Sequence, residues 1–135
     1  MNSVWRIVDA NLNRVREGLR VLEDVARFVL NDRGLSGALK RSRHELNQIL
    51  LQANVRNENL LTCRESRRDV GRKMSIRDQK KVTVRALVHS NFKRTEEGLR
   101  ALEECAKIVV PKAEPRFQAL RFRIYELEKR TVTKF

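Results

Sequence analysis

Asn11 to Leu30 reads NLNRVREGLRVLEDVARFVL, and Asn91 to Val110 reads NFKRTEEGLRALEECAKIVV. At a constant offset of 80 half the positions coincide: Asn11, Arg14, Glu17, Gly18, Leu19, Arg20, Leu22, Glu23, Ala26 and Val29 all recur. With the offset widened to 81, Ala38 to Leu46 (ALKRSRHEL) also aligns with Ala119 to Leu127 (ALRFRIYEL). A unit present twice implies an intramolecular duplication with pseudo-twofold symmetry, because solenoids need three or more repeats to cover their faces.

Each copy reads as a long helix and a shorter one. Val8, Leu12, Val15, Leu19, Leu22, Ala26 and Val29 recur in steps of three and four, the apolar stripe of a helix. The first helix is expected from about Ser3, as N-cap, to Asn31, where Asn31-Asp32-Arg33-Gly34 supplies a stop; a second covers Leu35 to Gln52. In the other copy a helix begins between Ser75 and Thr83 and ends at Pro111, and a last one runs from Pro115 to Val132. The expected fold is all-α: a duplicated helical hairpin, residues 1–53 and 75–135, forming a four-helix bundle with one long basic crossover loop over 54–74.

A length of 135 residues suits one domain, and 41% hydrophobic residues with only 5% aromatics suits helices packed through aliphatic side chains. The N-terminus lacks a secretory pattern and no apolar run approaches a membrane span, so a cytoplasmic protein without membrane contact is expected; a homo-oligomer is compatible with the sequence. Cys63 and Cys105 lack the companions of a zinc site or disulfide framework. The net charge of +13 favours phosphate-bearing partners. Thr62 to Lys81 alone holds eight basic residues against three acids. Nucleic acid is disfavoured, because Trp5 and Tyr125 stand apart from the basic stretch rather than interleaving with it.

Asn11, Arg14 and Gly18, like Asn91, Arg94 and Gly98, fall on the apolar side of their helices at 100° per residue. Inward Asn and Arg need partners or a ligand, whereas the glycines imply close approach of a helix or of a bound molecule. Two readings follow: the polar pairs serve neighbouring helices and carboxylates, or they line a binding site. There is no Gly-rich nucleotide loop of either common type, so phosphate chemistry would fall to arginine clamps, with Asp or Glu holding Mg2+. Face and charge assign Arg14, Arg94 and Arg64 to phosphate binding and Asn11 and Asn91 to amide contacts. Asp69 with Glu17 or Glu97 is assigned to Mg2+, and the catalytic set is Arg14, Arg94 and Asp69. Arg20, Arg100, Arg43 and His44 complete the expected substrate and ATP-binding set, although Arg20 and Arg100 also have acidic neighbours one turn away in a salt-bridged pattern, and a lone helical histidine is more often structural.

The runs Val8 to Phe28, Arg43-His-Glu-Leu46, Asp69-Val-Gly71, Asn91-Phe-Lys-Arg94, Glu97 to Glu104 and Tyr125-Glu-Leu-Glu128 together resemble the monofunctional hydroxymethylpyrimidine-phosphate kinase family, small helical proteins or domains fused to thiamine-phosphate synthase. The resemblance spans nearly the whole chain, with one departure at Arg64-Glu65, where an Arg-Asp pair is expected. It implies ATP- and Mg2+-dependent phosphorylation of 4-amino-5-hydroxymethyl-2-methylpyrimidine phosphate to the diphosphate in thiamine biosynthesis, with rejection of the unphosphorylated alcohol and a functional link to thiamine-phosphate synthase. The alternatives are a noncatalytic helical partner domain of that synthase and a basic nucleic-acid-binding helical protein.

Overall fold

A computed structural model describes residues 2–72 and 82–135. Among them the secondary structure is entirely helical: α1 (Asn2–Asp24), α2 (Arg33–Gln52), α3 (Asn57–Cys63), α4 (Val84–Val109) and α5 (Glu114–Val132). No helix among the described residues is long and apolar enough to cross a membrane. Of the expected range for the start of the third long helix, Ser75 to Thr83, residues 75–81 lie outside the described residues, as do the basic residues from Lys73 to Lys81, and Thr83 is the observed N-cap of α4.

The long helices α1 and α4 form the most extensive interface, and each carries a shorter helix, α2 on α1 and α5 on α4. Two glycines set the crossing. A Cβ on Gly18 would lie 2.3 Å from Thr95 Oγ1 and 3.1 Å from the Asn91 carbonyl oxygen; one on Gly98 would lie 2.8 Å from Val15 Cγ2 and 3.4 Å from the Asn11 carbonyl oxygen. The offset of 80 carries one set of contacts onto the other, Asn91 and Thr95 onto Asn11 and Val15. Gly18 meets residues before Gly98, and Gly98 meets residues before Gly18, so the helices run antiparallel about a pseudo-twofold axis. Leu12, Val15, Leu19, Phe92, Leu99 and Leu102 fill the seam around this contact, all essentially inaccessible.

The ends of the helices follow local chemistry. Asp32 accepts a hydrogen bond from the Leu35 amide at 2.9 Å, and Thr83 from that of Ala86 at 3.1 Å, each satisfying an orphan donor. Ser3, the expected cap, lies inside α1. Asn31 adopts a left-handed φ of 50° that stops the first helix, after a π-helical turn over Val25–Val29 that the apolar periodicity did not announce. Pro111 ends α4 as expected, through a short 3-10 turn. The segment expected to be loop contains α3, because Leu60 is buried and docks it on α1.

Buried carboxylates tie the helices of each copy. Glu23 on α1 accepts from Arg43 on α2 at 3.1 Å, and Glu103 on α4 accepts from Arg121 on α5, which is held well above the usual guanidinium range by that bond. A third group, at the α4–α5 contact, is only partly compensated. Lys93 Nζ donates to Glu96 Oε1 and Glu128 Oε1, both at 3.2 Å, while the second oxygen of each carboxyl is buried without a donor. A proton on Glu96 would supply a donor there. Burial first, and then Glu128, push Glu96 up to about 7.

Two outcomes are expected. Gly98→Ala will lower stability by about 1 to 3 kcal/mol through overpacking, whereas Gly37→Ala in α2, where only the mobile end of Arg41 is near, will raise it by about 0.5 to 1 kcal/mol; urea unfolding reads both, and two stabilised variants would contradict the close crossing. Glu96 has a folded value near 7 against 4.5 for the free side chain, so its protonated form supports the fold fully below about pH 4.5 and that support is lost as pH rises through 7. Glu96→Gln will therefore gain stability over the parent on going from pH 5 to pH 8, and a difference that does not change with pH would contradict the raised Glu96 carboxyl.

Candidate functional site

Arg6, Asp9, Asn13 and Arg16 follow one another along α1 in steps of three and four, a polar stripe beside the apolar one. Arg64, the residue after α3, folds back onto it: Arg64 Nε and Nη2 each bond an Asp9 oxygen at 2.7 Å, a bidentate pair with Asp9 buried beneath it. That bond, chiefly, raises the Arg64 guanidinium above its ordinary value. Arg6 adds a weak bond from its guanidinium to the Glu65 carbonyl oxygen at 3.4 Å. The segment from Arg64 to Asp69 thereby becomes the far wall of an open cleft of about 550 Å³ along the first half of α1.

The cleft brings together Asn11, Arg14, Arg64 and Asp69 of the expected site, with Arg6, Asp9, Asn13, Glu65 and Ser66 in addition. Its volume suits one drug-sized ligand. Asn11 is buried; its amide donates to the Ile7 carbonyl at 2.9 Å and accepts from Arg14 Nη1 at 3.1 Å. Arg14 has no carboxylate partner among the described residues, and Asn11 fixes its direction without neutralising it. Asp69 Oδ1 accepts from the Gly71 amide at 2.8 Å, a local turn that presents the carboxylate on the wall.

Several expectations need correction. Arg14 and Arg94 are exposed rather than inward, since a long side chain at the border of the apolar stripe reaches out to water. Asn91 repeats the local bond of Asn11, donating to the Leu87 carbonyl at 2.9 Å, but it lies on α4 away from the cleft. Arg94 pairs with Glu17 at 3.5 Å, both more than half exposed. Glu17 and Glu97 lie outside the cleft lined by Asp69, and among the described residues no three His, Cys, Asp or Glu side chains converge on a metal position. Arg43 is committed to Glu23, and Arg100 to Glu103 and Glu104 at 3.4 and 3.1 Å. Arg20 and His44 are exposed and outside the cleft.

Arg6, Asp9 and Asn13 were missed. Asp9 interrupts the apolar neighbourhood of Val8 and Leu12, and its spacing to Asn13 and Arg16 was visible; its partner, 55 residues away, was not. The pair also makes an asymmetric prediction. Arg64→Ala leaves a buried carboxylate unpaired and should cost about 3 kcal/mol, whereas Asp9→Ala leaves an arginine that can turn to water and should cost about 1 kcal/mol. Thermal unfolding of both variants checks the order, and equal costs would mean that burial of Asp9 does not govern the pair.

The ThiD2 family profile matches residues 6–130. The chain is 40% identical over 126 residues to a thiamine-phosphate synthase of Nostoc sp. (strain PCC 7120 / SAG 25.82 / UTEX 2576), covering 93% of this chain and 34% of that protein. It is 39% identical over 127 residues to that of Synechocystis sp. (strain ATCC 27184 / PCC 6803 / Kazusa), covering 93% and 35%, and 35% identical over 124 residues to that of Rhodopirellula baltica (strain DSM 10527 / NCIMB 13988 / SH1), covering 91% and 32%. The chain thus spans about a third of the length of these relatives. No solved structure matches it significantly.

Proposed function

The chain belongs to the ThiD2 family, whose curated relatives here are named for thiamine biosynthesis, and on that footing we propose that it phosphorylates 4-amino-5-hydroxymethyl-2-methylpyrimidine phosphate, with ATP, to the diphosphate. The observation that carries this reading is Arg14, held by Asn11 and free of any carboxylate partner among the described residues, in a cleft with Arg6 and Arg64 that fits one small ester.

The chemistry asks little of the protein beyond positioning and charge neutralisation. The attacking atom is a phosphate oxygen of the ester, whose second ionisation lies near pH 6, so it is already anionic at pH 7 and needs no general base. A new bond forms between that oxygen and the γ-phosphorus, the bond from the γ-phosphorus to the β,γ-bridging oxygen breaks, and ADP departs with the electron pair. Exposed His44 is then not required. Arg14 and Arg6 hold the ester phosphate, Arg64 is oriented by Asp9, and Asn13 and Ser66 remain as polar contacts for the pyrimidine. Without the phosphate the arginines lose their counter-ion, which selects against the free alcohol. Magnesium, carried on the nucleotide phosphates, would neutralise charge; Glu65 and Asp69 are the cleft carboxylates without an arginine partner among the described residues and would be the ones to meet it.

The names of the relatives favour a second reading at least as well: a helical domain that serves thiamine-phosphate synthase without a reaction of its own. ADP release from ATP and Mg2+, followed with the pyrimidine phosphate and with the alcohol, separates the two. The kinase reading expects turnover of the ester only, lowered about a hundredfold by Arg14→Ala and within about threefold of the parent in Arg94→Ala, whose side chain is exposed on α4. Folded protein that turns over neither compound leaves the partner-domain reading.

A further inference from the structure

Arg16 lies one turn beyond Asn13 on α1 and borders a second cleft, of about 460 Å³, between α1, the end of α2 and the start of α3. The residue is partly exposed, and its bonds go to neutral oxygens only, Asn47 Oδ1 at 3.5 Å and Asn57 Oδ1 at 3.4 Å. No carboxylate comes within ion-pair distance of it among the described residues, although Glu58 also lines the cleft. Burial accordingly lowers the Arg16 guanidinium from its ordinary value; the attraction of Asp9 opposes this and the charge of Arg64 adds to it. Arg43 and Arg121, by contrast, each rest on a buried glutamate.

The duplication supplies an internal comparison. Offsets of 80 on the long helix and 81 on the short one carry Asn13, Arg16 and Asn47 onto Lys93, Glu96 and Glu128. In the second copy these three close on one another, the lysine bridging both carboxyls. The same corner of the fold is thus built there around a lysine that bridges two carboxyls. In the first copy the charge is reversed and its partners are amides, which leaves a cation without an adjacent anion among the described residues.

We propose that Arg16, with Asn47, Asn57 and Arg56, forms an anion subsite that takes a phosphate group of a nucleotide, separate from the cleft that holds the pyrimidine ester. An incoming phosphate accepts from Arg16 and Arg56 and from the amide nitrogens of the two asparagines, and restores the missing counter-charge. The α1 cleft fits one small ligand, so a second phosphate-bearing substrate needs its own place, and Arg16 lies on the same face of α1 as Asn13 and Asp9. The assignment of this phosphate to a nucleotide rests on the kinase reading; the anion subsite does not.

Calorimetric titration without metal, using inorganic phosphate, ADP and the pyrimidine phosphate in turn, tests it on the parent, Arg16→Gln and Arg14→Gln. Arg16→Gln should weaken ADP and inorganic phosphate by about tenfold or more and leave the pyrimidine ester within about twofold, with Arg14→Gln showing the reverse preference. The unfolding midpoint of Arg16→Gln should hold or rise, because an uncompensated charge has been removed. ADP binding that depends on Arg16, in a protein without turnover, would support the subsite while sinking the kinase reading. Wild-type binding of all three probes by Arg16→Gln, a parent that binds none of them, or loss confined to the pyrimidine ester would overturn the separate subsite.

Discussion

The structure depends on the contact of α1 with α4 at Gly18 and Gly98. Each glycine lets the other helix's backbone approach to a distance at which a side chain would collide, so the helices cannot slide or rotate without losing both contacts. A single register follows, and with it the placement of α2 and α5. The roughly 1 kcal/mol that a glycine costs a helix interior is offset by the dense aliphatic packing that close approach permits. The inward position of Asn11 and Asn91 belongs to the same contact: their carbonyls face the opposite glycine, and their side-chain amides bond back to their own helices.

That frame explains which parts of the molecule could be read from residues alone. The apolar stripe, the repeat offset and the prolines carry local information, and helix positions followed to within a few residues. The π-helical turn over Val25–Val29 and the docking of α3 through Leu60 depend on tertiary contacts that periodicity does not encode. The candidate cleft was legible in part. Asn11 and Arg14 lie one turn apart and share it with Arg64 and Asp69, whereas their sequence counterparts Asn91 and Arg94 lie on α4 outside it. Symmetry of sequence is not symmetry of surroundings: Arg94 meets Glu17, whereas Arg14 meets no carboxylate among the described residues. Glu17 and Glu97, on the two long helices, lie outside the cleft that Asp69 lines.

The two copies differ in what meets their polar groups at this corner. In the second copy Lys93 bridges Glu96 and Glu128, and Arg121 pairs with Glu103, so each of these carboxyls meets a cation within the helix pair. In the first copy Arg14 and Arg16 are tied to asparagine side chains that orient without neutralising.

Backbone amide chemical shifts recorded by NMR while the pyrimidine phosphate is titrated into the protein separate a first-copy site from a symmetric one. A first-copy site gives shifts concentrated at residues 6–14 and 64–69, with residues 84–94 of the second copy left in place. Equal shifts in both copies, or shifts confined to the second, would contradict it.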